Sequence, residues 1–348
     1  MVGPGVLPGR VAVVTDSTAA LPPALARAGG VRVVSLDVIV GRRRTLDGDI
    51  DGADLLAALE RGERPVTSQP PPGAFAAAYE RAAAEGASAV VSVHLSGQLS
   101  GTAAAARLAA ADAGIPVVVV DSGTAAMGMG FAVLAAARAG TPQLPKPAPE
   151  PWWRRWAPAR APVAPVSVPD VDEVAATAQA VAGSSQVWFL VDNLDHLRRG
   201  GRLSGTSALL GTLIQLRPLL TVTDGHLAVA GKVRTRRAAR ARLVQLAVES
   251  VQARGKARVA VHHLGNVDAA ADLARQVVAA AGDGVVQTVI SEIGAVLAAH
   301  VGPGALAIAV ADAEPVVPAQ SPADMSSPGE VGSSGEPSTA DGDDAPVP

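Results

Sequence analysis

Through residues 10–140, short unbroken valine runs alternate with longer alanine-rich stretches. Residues 11–15 (Val-Ala-Val-Val-Thr) show no polar alternation, which is the pattern of a parallel strand covered on both faces. Residues 88–93 and 116–120 read the same way, and 31–40 read as one or two further strands. Helices are predicted over 53–61, 74–85 and 103–111, with a short one opened by Leu21-Pro22-Pro23 and another after Gly130. Residues 65–73, rich in proline, form an extended approach to the second of these helices. Three valine runs end in Asp or His and hydroxyl residues before a helix: Asp16-Ser17-Thr18, His94-Leu95-Ser96 and Asp121-Ser122. Such strand–loop–helix repeats imply an α/β fold with a mostly parallel sheet flanked by helices. Its loops converge beyond the strand C-terminal ends.

Residues 141–169 interrupt this rhythm. They are dense in proline and contain Trp152-Trp153-Arg154-Arg155-Trp156, the composition of an extended or disordered insertion. A loop docked on the body suits them better than an anchor helix, with transient membrane contact through the tryptophans as the alternative. Beyond the insertion the pattern predicts a helix at 170–182, a strand at 186–191 and a short helix at 194–199 closed by Gly200-Gly201. An apolar helix is expected at 207–215, and a hairpin pairs 219–223 with 226–230 across Asp224-Gly225. Strands at 257–261, 285–289 and 305–310 and a helix at 267–281 complete a second unit. The expected organisation is an N-terminal α/β domain over 9–168 (insertion included), a C-terminal α/β domain over 170–312, and a disordered tail over 314–348.

Composition narrows the function. The 348 residues are 49% hydrophobic but only 2% aromatic, so alanine, valine and leucine must fill two cores. A net charge of −3 gives no reason to expect nucleic acid. The absence of cysteine excludes disulfides, thiolate metal sites and cysteine nucleophiles. No signal-peptide pattern opens the sequence and no apolar run is long enough for a membrane span, so the cytoplasm is the expected location. Residues 47–52 (Asp-Gly-Asp-Ile-Asp-Gly) match half of a calcium loop but lack its closing glutamate; they read as a solvated turn, and no metal is expected.

The candidate chemistry concentrates in residues 94–102 (His-Leu-Ser-Gly-Gln-Leu-Ser-Gly-Thr). A turn of this kind between a strand and a helix aims backbone N–H groups and serine hydroxyls at the positive end of a helix dipole, where an anion is held. Plainer roles stand beside that one. Ser100 or Thr102 can cap the helix, Ser96 can be a turn hydroxyl, His94 a packed histidine, and Asp16 with Ser17 a loop cap. A hydrolase or phosphotransferase using the serine-rich loop on a small anionic substrate is the alternative function. The glycines of 97–101 sit at the wrong offset for a nucleophile elbow, however, and Met127-Gly128-Met129-Gly130 supplies neither a dinucleotide fingerprint nor a P-loop lysine.

Asp16-Ser17-Thr18-Ala19, Thr67-Ser68-Gln69-Pro70, His94-Leu95-Ser96 with Leu99-Ser100-Gly101-Thr102, and Asp121-Ser122 with Met127-Gly128-Met129-Gly130 occur in one order. Asp192-Asn193-Leu194, Gly200-Gly201-Arg202-Leu203-Ser204, Ala208-Leu209-Leu210-Gly211, Lys232-Val233-Arg234 and His300-Val301-Gly302-Pro303-Gly304 continue it. Over residues 10 to 311, this series resembles the DegV family. The resemblance implies a non-enzymatic lipid carrier. It would hold one long-chain fatty acid between two α/β domains and present the carboxylate to a fatty acid kinase, upstream of phospholipid metabolism. It implies no catalytic residue and no cofactor beyond the bound fatty acid. By motif position, Thr67, Ser96, the backbone at Gly97 and His300 would hold the carboxylate. Ser68, Ser100, Asp16 and Ser17 are further candidates. Arg202 and the basic segment 232–242 would by default be solvated faces, and the sharper reading is docking to an acidic kinase surface. Two positions depart from the family pattern: Gly97 and Pro71 stand where serine is usual.

Overall fold

The computed structural model describes residues 9–142, 167–192, 194–203 and 217–313. The expected helix at 207–215, the tail over 314–348, the tryptophan cluster, Asn193 and Ser204 lie outside the described residues.

Strands β1 (Val11–Asp16), β2 (Arg32–Val34), β6 (Ala89–His94) and β7 (Val117–Asp121) form a parallel sheet in the order β2-β1-β6-β7. Helix α1 (Pro23–Ala28) connects the first two. Every residue of β1 and β6 is buried, because the two faces carry different helices. Ala12 and Val14 pack with Phe75 and Tyr79 of α3 (Pro72–Ala84) and with Ala105 and Ala106 of α4 (Thr102–Ala110). Val11 and Val13 point the other way, to Met129 and Val133 of α5 (Met127–Ala139) and Val174 and Ala178 of α6 (Val171–Ser184). Two-faced burial is the physical reason for unbroken valine runs.

The second half forms a six-stranded sheet from β8 (Gln186–Leu190), β9 (Arg217–Thr223), β10 (His226–Val233), β11 (Ala257–His263), β12 (Val285–Glu292) and β13 (Leu306–Asp312). Its order is β10-β9-β8-β13-β11-β12, and of its neighbouring pairs only β11 and β12 run parallel. Helix α7 (Asp195–Arg199) follows β8. One face packs on α8 (Arg236–Arg254) and α9 (Val267–Ala281) through Leu243, Ala247, Leu273 and Val277. On the other face lies α5, which sits between both sheets: Phe131, Ala132 and Ala135 meet Val187, Ala260 and Ala309. Hence α5 is apolar on all sides. Gly128 in its first turn is a packing residue, since a Cβ there would fall 2.6 Å from Val187. A small antiparallel sheet, β4 (Arg43–Leu46), β3 (Asp37–Val40) and β5 (Val66–Ser68), shares a core with α2 (Gly52–Glu60) and α10 (Ala295–Val301).

The sequence pattern missed β4, α8 and α10. Arginines hide the buried stripe of α8 at Ala239, Leu243, Ala247 and Val251, which recurs nearly every four residues as a helix face must. The predicted turn at 47–52 has a structural purpose: Asp51 caps α2, and Asp47 accepts the Val296 N–H at 2.9 Å. No helix among the described residues is long and apolar enough to cross a membrane.

Candidate functional site

The loops after β6 and β7 face the inner surface of the second sheet and α10 across a cavity of about 310 Å³. That is within the ~300–1,000 Å³ range of ligand pockets. Leu95, Leu99 and Ala126 form one wall, Phe189, Val222 and Leu227 another, and Val296 and Leu297 a third. Leu95 and Leu99 follow β6, Phe189, Val222 and Leu227 lie within β8, β9 and β10, and Val296 and Leu297 belong to α10.

Of the polar groups on the wall, His262 accepts the Met127 N–H at 3.1 Å, and a separate group lies around His300. Thr67 Oγ1 and His300 Nε2 are hydrogen-bonded at 2.9 Å, although 233 residues separate them. Antiparallel β5 brings Thr67 there by pairing with Val38, and α10 brings His300. Burial, reinforced by Arg202 and His196, lowers the His300 pKa to about 4, so the ring is neutral near pH 7. Arg202 donates from Nε to the Leu99 carbonyl at 3.0 Å and also to the Gly200 carbonyl. Neither acceptor carries a charge, and none of the ion pairs among the described residues includes Arg202. Ser100 and Gly101 add the start of α4, whose N-cap is Gly101 with no side-chain cap. The expected capping by Ser100 or Thr102 is therefore absent: the two hydroxyls bond each other at 2.8 Å. A lone guanidinium, a neutral imidazole, two hydroxyls and an uncapped helix start make a local environment that favours an anion.

The other predicted residues have different partners. Ser96 is buried off the cavity wall, donating its hydroxyl to the Gly225 carbonyl of the β9–β10 turn at 2.7 Å. The Gly97 N–H is occupied by the Asp121 carboxylate at 3.0 Å, and a Cβ at 97 would come within 2.5 Å of that carboxylate. Ser17 accepts the Leu36 N–H, and Ser68 donates to the Gln69 carbonyl. Two wall residues carry no local sign of that position: Gln69, which has no cavity signature in the sequence, and Arg202, which reads there as outer surface.

Asp16 belongs to a closed polar chain. Its carboxylate takes His94 Nδ1 at 2.9 Å, the Leu95 N–H at 3.2 Å and the Thr18 N–H at 3.0 Å. His94 Nε2 meets Ser92 Oγ at 2.7 Å, and Tyr79 donates to Ser92 at 2.9 Å. The order Ser–His–Asp is that of a hydrolase triad, yet Ser92, His94 and Asp16 are all 0% exposed, and none lines the cavity. A nucleophile with no access to substrate performs no acyl transfer. The group fixes the backbone entering the 94–102 loop instead.

The chain thus combines a parallel sheet, a six-stranded sheet and a small antiparallel sheet with a largely apolar internal cavity whose wall includes Thr67, Ser100, Arg202 and His300. The sequence profile of the DegV family matches residues 10–141 and 169–313, and the chain belongs to that family. A DegV domain-containing protein of Streptomyces coelicolor, SCO2569, is 38% identical over 302 residues, covering 86% of this chain and 98% of that protein. One from Deinococcus radiodurans is 39% identical over 306 residues, with the same two coverages. Among solved structures, a fatty-acid-binding DegV family protein from Thermus thermophilus superposes with a TM-score of 0.73 at 34% identity, covering 87% of this chain and 99% of its own. DegV of Bacillus subtilis, a fatty acid binding protein, gives 0.73 at 28% identity with the same coverage.

Proposed function

We propose that this chain binds one long-chain fatty acid in the cavity, between its 9–168 and 170–312 halves. In this reading the carboxylate lies against Thr67, Ser100, Arg202 and His300, and the protein presents that carboxylate to a fatty acid kinase for acyl-phosphate formation. The observation that carries the reading is a largely apolar cavity with Thr67, Ser100 and His300 on its wall beside a guanidinium that has no carboxylate partner among the described residues. The tail provides affinity: about 0.8 kcal/mol per buried CH₂ gives on the order of 10 kcal/mol for a long chain before the costs of association. The head provides orientation through one charge-assisted contact and several neutral donors. Ser96 and Gly97 act one layer back, holding the loop by their bonds to Gly225 and Asp121. The protein itself supplies no nucleophile to the ligand and works as a carrier, in the cytoplasm where a kinase has its nucleotide.

Mass spectrometry of an organic extract of the purified protein tests the binding. One equivalent of a long-chain fatty acid is expected; an empty protein that also takes up no added fatty acid overturns it. Incubation of the loaded protein with a fatty acid kinase and ATP tests presentation. Acyl phosphate is expected, and its absence, with binding intact, removes the kinase role alone.

A further inference from the structure

A smaller crevice of about 90 Å³, which shares the wall residues Ala305 and Leu306 with the acyl cavity, is lined by Arg217, Arg236, Arg240, Asp192 and Asn266. Arg217 opens β9, Arg236 and Arg240 lie in the first turns of α8, and Asn266 caps α9. The Asp192 carboxylate takes one guanidinium on each oxygen, Arg217 at 2.6 Å and Arg236 at 2.6 Å. Its approach depends on Gly304, where a Cβ would fall 2.7 Å from Asp192 Oδ2. One carboxylate thus orients two arginines while neutralising only a single charge. Arg240 pairs with no carboxylate among the described residues, which leaves two positive charges in excess around the crevice. Arg217 and Arg236 each retain N–H donors that Asp192 does not use.

We propose that this crevice is a binding site for a phosphate-class oxyanion, held by Arg217, Arg236 and Arg240 and pre-oriented by Asp192. Planar guanidiniums recognise phosphate oxygens by paired donors, and two of the three are fixed before any ligand arrives. The volume sets the size class: it is well below the ~300 Å³ at which pockets for larger ligands begin, so it admits a single phosphoryl group. That group can be free phosphate or the end of a nucleotide. The polar residues of the crevice are distinct from those of the acyl head-group cluster, although Ala305 and Leu306 line both cavities.

The full chain is titrated separately with sodium phosphate and with ATP, at ionic strength fixed with sodium chloride. The backbone amide signals of Gly304 and Asn266 are followed by two-dimensional NMR. Saturable shifts at both amides are expected with phosphate. ATP saturating at a tenfold or lower concentration than phosphate assigns the source as a nucleotide, and weaker or equal ATP binding assigns it as free phosphate. Arg240→Ala breaks no ion pair among the described residues, so the fold is expected to be retained; it is expected to weaken phosphate binding about tenfold, the loss of one charge-assisted contact, with fatty acid affinity unchanged. Arg240→Lys should recover only part of the loss. No saturable shift with either ligand, or shifts that persist unaltered in Arg240→Ala, overturn the proposal.

Discussion

Two histidine clusters in this molecule use nearly the same bonds and differ in what they leave over. Around His94, the Asp16 carboxylate is matched by four donors, the Thr18 hydroxyl among them, and the Ser92 hydroxyl lies between the ring and Tyr79. Around His300, a hydroxyl again meets the ring, at 2.9 Å, but the nearby charge is Arg202, whose partners among the described residues are backbone carbonyls. The first cluster is complete and sealed; its energy goes into holding β1, β6 and α3 together. The second lines a cavity and lacks an anion. A functional site is recognised here by the charge left unpaired, rather than by which residue types stand together.

If that contrast is correct, breaking the closed cluster should damage the fold most. Asp16→Ala strands His94, the Leu95 N–H and the Thr18 N–H in a dry interior, and should cost about 3–5 kcal/mol in denaturant unfolding. A loss below 1 kcal/mol would show that water or repacking replaces the carboxylate, and the sealed description would fail. Acid should act next in size. Burial lowers both His262 and His300 to about 4, so the folded rings stay neutral while the unfolded chain binds protons near the ordinary value of 6.5. Stability is therefore complete above about pH 6.5 and is lost as pH falls toward 4, by on the order of 3 kcal/mol for each ring. Saturating fatty acid should reduce the His300 share, because a carboxylate beside the ring raises its pKa.

The open cluster should govern ligand affinity and leave stability almost unchanged. Arg202→Ala is expected to weaken fatty acid binding by about 1.5–3 kcal/mol, read as displacement of a fluorescent acyl probe. An equal loss of affinity and melting temperature would instead make Arg202 a structural residue. Thr67→Val should cost about 0.5–1.5 kcal/mol of binding, leaving His300 Nε2 without its partner.

The parallel sheet was legible because a run of consecutive valines suits a strand covered on both faces and little else, and the α/β class follows from the alternation of such runs with helices. Helix α8 was not, because its first turns carry Arg236, Arg237, Arg240 and Arg242 and the apolar stripe emerges only from Ala239 onward. Thr67 and His300 could be linked only through family resemblance, since nothing local in either segment encodes contact with a residue 233 positions away. The same limit applies to Arg202. A residue that pairs with backbone carbonyls in a cavity wall has the same sequence appearance as one on an exposed basic face.

Ser96 tests the comparison most finely, because its position in the loop suggests a ligand group and its bonds suggest a structural one. Its hydroxyl donates to Gly225 and accepts the Gln98 N–H at 3.2 Å, so the oxygen already serves both sides of the loop. Its backbone N–H is likewise spent, on the Thr124 carbonyl at 2.9 Å. Ser96→Ala should therefore lower stability by about 1 kcal/mol and leave fatty acid affinity within about twofold, since no donor to the carboxylate is lost. Replacing Ser100 by alanine should do the reverse: the residue is on the cavity wall and, among the described residues, its hydroxyl bonds Thr102 alone, so binding should weaken by about 0.5–1.5 kcal/mol with the fold unchanged. A tenfold loss of affinity in Ser96→Ala with stability intact would mean that the loop turns this hydroxyl inward around the ligand. The carboxylate would then be held by the residues before α4 rather than by the cluster around His300.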